Sequence, residues 1–142
     1  MLVPPGEYRV ALLAGGRELV KPLSVVADPR VPIDAAGLRE AMALSRDVAN
    51  ALSRHAQLDR DVRELKKKLG AAIDAKLAPL LTRGGDESTN LDSIGGALVD
   101  LQIDLEGSDR APTRAQRDVL AMQSARLEKA LKWFSENSSM NH

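Results

Sequence analysis

The chain has 142 residues, 44% of them apolar but with one Trp, one Tyr and one Phe, so its length suits one ordinary domain with an aliphatic core. Its 20 basic and 20 acidic residues cancel, which removes the basic excess a dedicated nucleic-acid binder needs to displace counterions. It has no cysteine, which excludes disulfides, thiolate catalysis and Cys-based metal sites, and no stretch approaches the roughly 20 apolar residues of a bilayer span.

The N-terminus lacks a basic segment followed by an apolar run and so does not read as a signal peptide. The first thirty positions read as two strands and a turn. Tyr8, Val10 and Leu12 alternate onto one face, and Arg9, Ala11 and Leu13 onto the other. Gly15-Gly16 supplies a turn tolerant of positive φ. The return strand runs from about Arg17 to Val26 and carries Pro22, which has no N–H for a ladder bond and so marks an edge strand or a bulge. Leu13, Leu19, Val20, Leu23, Val25 and Val26 put apolar groups on both faces. An isolated hairpin of this kind is marginal in water.

Asp28-Pro29-Arg30-Val31-Pro32 reads as a stiff, extended connector. Asp34 follows as an N-cap, with Ile33 and Leu38 spaced as a hydrophobic staple. From Leu38 the apolar positions step by threes and fours through Ala41, Val48, Leu52, Leu58, Val62, Leu65, Leu69, Ile73, Leu77 and Leu80. This predicts one long helix, or two in near continuity with a weak point near Gly70. Thr82 to Asn90 is a polar loop. The next helix spans about Leu91–Leu105 on the stripe Leu91, Ile94, Leu98, Leu101 and Leu105, where Gly95-Gly96 permits close packing. Glu106 to Pro112 breaks it, and Thr113 with Gln116 forms a capping-box pattern. The last helix carries Val119, Leu120, Gln123, Leu127, Ala130, Leu131 and Phe134 inward and frays after Glu136. The expected fold is mainly α: a three- to four-helix antiparallel bundle over 31–142, with an N-terminal β-hairpin over 1–30 docked on one end.

Residues able to carry chemistry are few. His55 reads as a surface or boundary histidine, and the terminal His142 as tail. Asp86, Ser88, Asn90 and Asp92 alternate like the start of a calcium loop, but Leu91 stands where glycine is needed and Ala97 where glutamate is needed. Asp100 and Asp104 share a helix face, and Glu106 follows them. Glycoside hydrolysis uses two opposed carboxylates, so these acids would need Asp59 or Glu64 across a cleft from them. Lys66-Lys67-Lys68 reads as a solvated run, and Asn137-Ser138-Ser139 fits a glycosylation acceptor. The glycine pairs lack the lysine and Ser/Thr of a phosphate loop. No catalytic residue, metal ligand or cofactor site is assigned. Trp133, Tyr8 and Leu13 are the candidate contact residues: Trp133 because tryptophan is enriched at interface hot spots, Tyr8 and Leu13 as hairpin residues on its two faces.

The order Pro5-Gly6-Glu7-Tyr8-Arg9-Val10, Gly15-Gly16, Pro22-Leu23-Ser24-Val25, Asp28-Pro29-Arg30 resembles the final hairpin of a small immunoglobulin-like sandwich. The stretches Asn90–Leu98, Gly107 to Gln116 with its Ala111-Pro112-Thr113 lead-in, and Leu127–Trp133 resemble the helical region that follows it in bacterial sortilin-type β-propeller proteins, the neuraminidase-repeat, glycosyl-hydrolase-like class. The resemblance spans essentially the whole chain. It implies a C-terminal accessory module whose hairpin is left from a sandwich, with Met1 an internal or reassigned start. The partner it implies is the propeller and sandwich part of a parent protein, and the location extracytoplasmic. No catalytic residue of a propeller lies within this chain to be carried over. A free-standing helical adaptor or oligomerisation protein using the long helix, marked by an apolar stripe left uncovered or by a hairpin pairing edge to edge with a second copy, and a hydrolase fragment, are the other readings the sequence leaves open.

Overall fold

A computed structural model describes residues 3–31, 33–81, 87–107 and 110–138. Two strands, β1 (Gly6–Ala14) and β2 (Arg17–Val25), precede four α-helices: α1 (Ala35–Leu69), α2 (Asp74–Leu81), α3 (Leu91–Glu106) and α4 (Arg114–Ser138). The chain is therefore mainly α, a helical bundle with an N-terminal hairpin, as its periodicity predicts. Asp86, Ser139 and His142 lie outside the described residues.

Three of the four helices begin where the sequence supplies a cap. The Asp34 carboxylate accepts from the Gly37 N–H at 2.7 Å and opens α1. The Asn90 side chain accepts from the Ser93 N–H at 2.9 Å and opens α3. At α4 the capping box closes both ways: the Thr113 N–H donates to Gln116 Oε1 at 2.7 Å, and the Gln116 N–H donates to Thr113 Oγ1 at 3.2 Å. Thr113→Ala is expected to lower the unfolding free energy by about 1 kcal/mol, read as a lower denaturant midpoint at unchanged slope. The anticipated weak point is real. Gly70 sits at φ 58° and ends the 35-residue α1, and one 3-10 turn (Gly70–Ile73) leads into α2. A side chain at that φ is strained, so glycine is the residue the break requires.

Side-chain bonds fix the helix directions. His55 meets Leu91 and Ser45 meets Gln102, so α3 runs antiparallel to α1. Asp104 meets Gln116 and Ser93 meets Arg126, so α4 runs antiparallel to α3. Glu40 pairs with Arg117 and Arg54 with Glu128, which leaves α1 and α4 parallel. These two ion pairs are exposed and contribute little stability.

The apolar stripes provide most of the driving force. Leu58, Val62, Ile73, Leu77, Leu80, Leu91, Ile94, Leu98 and Leu127 close the larger core cluster, with α2 folded beneath it. Leu44, Val48, Leu101 and Leu105 form a smaller cluster toward the α1 N-terminus, and Leu52 and Leu120 pack against both. All five stripe residues of α3 are buried, as are Gln123, Leu127 and Ala130 of α4. Leu69, expected inward, is 37% exposed because the chain turns away at the next residue. The polar seam beside this core is held by Arg126. It donates to Gln123 Oε1 at 2.9 Å, to Ser93 Oγ at 3.1 Å and to the Glu87 carbonyl, tying the end of the α2–α3 loop to α4.

The hairpin departs from the expected docking. It faces the bundle across a cleft at its root, and both of its faces stay open.

Candidate interaction surface

Gly15 and Gly16 have φ of 56° and 73°, which defines a two-residue type I′ turn. The register therefore runs without a bulge from Ala14 opposite Arg17 down to Gly6 opposite Val25. Opposed residues share a face. One face carries Tyr8 beside Leu23, Val10 beside Lys21 and Leu12 beside Leu19. The other carries Glu7 beside Ser24, Arg9 beside Pro22, Ala11 beside Val20 and Leu13 beside Glu18. The two faces are thus unequal. The Tyr8 face is aliphatic and aromatic, whereas the Leu13 face is mixed and polar at its base, where the Ser24 hydroxyl donates to Glu7 at 2.5 Å.

None of the strand residues is buried. Leu12 is 59% exposed, Leu19 66% and Leu13 78%. Scattered apolar residues on a surface are ordinary, but a contiguous set aligned on one sheet face marks an interaction site. Of the three candidate contact residues, Leu13 is fully displayed near the turn. Tyr8 is half-buried and its hydroxyl donates to the Pro4 carbonyl at 2.7 Å, which holds the ring along the base of the sheet. Trp133 is also half-buried, but it packs against the larger core cluster in α4, so the three residues do not form one patch.

The cleft between hairpin root and bundle has a volume of about 250 Å³ and is lined by apolar groups from both sides, among them Val26, Ile33, Leu38, Met42 and Leu105. The staple pair Ile33 and Leu38 forms its floor beside the α1 N-terminus. Its rim is ionic. The Arg30 side chain, bonded to Asp28 at 2.6 Å, holds the Asp28 carboxyl below its ordinary value. The Gln102 amide, donating at 2.6 Å, does the same for Glu106. Both depressions stabilise the folded form above the ordinary carboxylate range, and that contribution is lost as pH falls through the lowered values. A slight loosening of the hairpin root in acid, seen as amide shift changes around Val26 and Val31, is the expected consequence.

Several of the residues considered for chemistry make local hydrogen bonds or ion pairs. His55 is half-buried, and its Nε2 donates to the Leu91 carbonyl at 2.8 Å, so that nitrogen carries the proton. Asp104 accepts from Gln116 at 2.6 Å and lies 3.7 Å from Arg110. Asp59 pairs with Arg63 at 2.7 Å on the same helix. Residues 55 and 45 of α1 lie beside 91 and 102 of α3, so Asp59 stands beyond the start of α3 while Asp100, Asp104 and Glu106 stand toward its other end. The two carboxylate sets are not brought together. Lys66 joins Asp74 at 3.0 Å, and the basic run ends α1, where the helix dipole favours it. Among the described residues no group of three or more His, Asp or Glu is placed to hold a metal ion, and no helix is long and apolar enough to cross a membrane.

A second apolar feature escaped the sequence reading. Val99 is 45% and Ile103 63% exposed on the outer side of α3. Their spacing from Gly96 by three and then four residues was a legible second stripe, hidden behind the stronger Leu91–Leu105 series.

The fold and this surface define a class, a helical bundle presenting a bare two-stranded sheet. Comparison with known proteins adds no nearer assignment: no family model, curated protein or solved structure matches the chain.

Proposed function

We propose that the chain is a non-catalytic interaction module that works through its hairpin, and that it serves as the C-terminal accessory part of a larger exported β-propeller, glycosyl-hydrolase-like protein. One observation carries the reading. The hairpin is regular over two nine-residue strands, yet none of its residues is buried, while the helical core closes without it. A two-stranded sheet needs a further layer for independent stability, and here the layer belongs on the Tyr8 face. Strands of an immunoglobulin-like sandwich supplied by the rest of a parent protein fit that need, in keeping with the Pro-Gly-Glu-Tyr and Asp-Pro-Arg resemblance.

The test begins with the source DNA preceding the Met1 codon. An in-frame continuation encoding sandwich strands and propeller blades is the expected result. A promoter and stop codon there would replace this reading with that of a free-standing adaptor. If the continuation is found, co-expression of its strands with the Leu12→Ser, Leu19→Ser chain should abolish the association made by the parent chain. Both side chains are exposed, so stability should stay within about 0.5 kcal/mol of the parent. Undiminished association of the variant would remove the hairpin from the function.

A further inference from the structure

We propose that the outer edge of β1 is a self-pairing edge, and that two copies of the chain join there antiparallel about a two-fold axis at Val10. The inference rests on the hairpin being the interaction surface and names one partner for it, a second copy.

The type I′ turn makes Ala14 and Arg17 a hydrogen-bonded pair, so alternate pairs outward from it are bonded and non-bonded. Glu7, Arg9, Ala11 and Leu13 therefore turn their N–H and C=O groups away from β2, and on β2 the residues doing so are Glu18, Val20, Pro22 and Ser24. Pro22 sits with its missing N–H on the outer side. It costs the hairpin no bond with β1, and it blunts the outer edge of β2. The β1 edge has no such block. One open edge and one blunted edge favour a closed pair over an extending fibre.

The open edge is complementary to itself. A two-fold at Val10 sets Gly6 opposite Ala14, Glu7 opposite Leu13, Tyr8 opposite Leu12 and Arg9 opposite Ala11 of the other copy. The whole of β1 is then paired, and every outward N–H meets an outward C=O. No like charges stand directly opposite, whereas a two-fold at Arg9 would oppose arginine to arginine. The net charge of zero leaves no long-range repulsion between copies. Pro4 and Pro5 lie beyond the paired segment and lack donors, so the ladder stops there. The two bundles sit at opposite ends of a joined sheet of about 30 Å, and the Tyr8 faces of both copies run on as one surface.

The absence of native cysteine makes the register directly testable. In this pairing the two Val10 residues face each other as a non-hydrogen-bonded pair, with Cα atoms about 4.5 Å apart, within disulfide range. The Val10→Cys chain, oxidised in dilute solution, should give a covalent dimer at least about tenfold faster than the Leu12→Cys chain, because the paired thiols meet at high effective concentration. The unsubstituted chain should sediment at twice the chain mass. Ala11→Pro, which removes one outward N–H from β1, should return it to monomer and slow the Val10→Cys cross-link, while Val20→Pro on the blunted edge should do neither. Equal cross-linking by Leu12→Cys would overturn this register. A monomeric chain that fails to cross-link at Val10→Cys would overturn self-pairing, yet leave the hairpin available to the parent strands. The failure of the hairpin reading itself is a different result, unchanged association of the Leu12→Ser, Leu19→Ser chain with those strands.

Discussion

Leu98→Ala is expected to lower the unfolding free energy by about 2–5 kcal/mol, the range for removing a buried leucine and leaving a cavity. Leu98 is fully buried on α3, the helix that packs antiparallel against both α1 and α4, so its neighbours cannot easily collapse into the space. The midpoint of thermal unfolding should fall by on the order of 10 °C. Leu127→Ala, from the α4 side of the same cluster, should match it. The exposed Leu13→Ala should shift the midpoint hardly at all. If the two core variants unfold with the parent, the core is wrongly assigned.

The second large effect is where Gly95 of α3 lies against His55 of α1. A Cβ on Gly95 would stand 2.6 Å from His55 Cε1 and 2.8 Å from Nε2. The ring is pinned by its bond to the Leu91 carbonyl, so it cannot swing away without losing that bond. Gly95→Ala is therefore expected to destabilise by about 1–3 kcal/mol despite alanine's advantage in a helix. In a His55→Ala background the same substitution should instead stabilise by up to about 1 kcal/mol, the ordinary helix preference. Chemical denaturation of the four proteins in the cycle isolates the coupling. Additive effects would mean that His55 and Gly95 do not touch.

Much of this fold was legible in residue order. Asp34 and Thr113 stand before periodic apolar runs and each closes a cap as expected, because side-chain capping depends on neighbours within one turn, whereas Asn90, read only as the end of a polar loop, caps the third. Gly70 could be read as a weak point, and its positive φ makes it a break. The partner of Gly95 was not legible. Gly95-Gly96 signalled close packing, but pairing it with His55 requires the relative axial position of two helices, which no local pattern encodes. The same holds for the hairpin. Alternation assigned Tyr8, Val10 and Leu12 to one face and Leu13 to the other. Whether that face meets the bundle is a tertiary matter, and the expectation that it docks was not met. Leu13 and Val20 suggested a second greasy face, yet the register seats them beside Glu18, Arg9 and Pro22. Trp133 looked like a contact anchor from its residue type, whereas its placement in α4 turns it toward the larger core cluster.

The separation of sheet and bundle has an optical consequence. The one tryptophan, Trp133, lies against the helical core, and the one tyrosine, Tyr8, lies on the hairpin. Indole emission therefore reports the bundle alone and phenol absorbance the sheet alone. Any event that touches one body and spares the other should appear in a single chromophore, with no label attached.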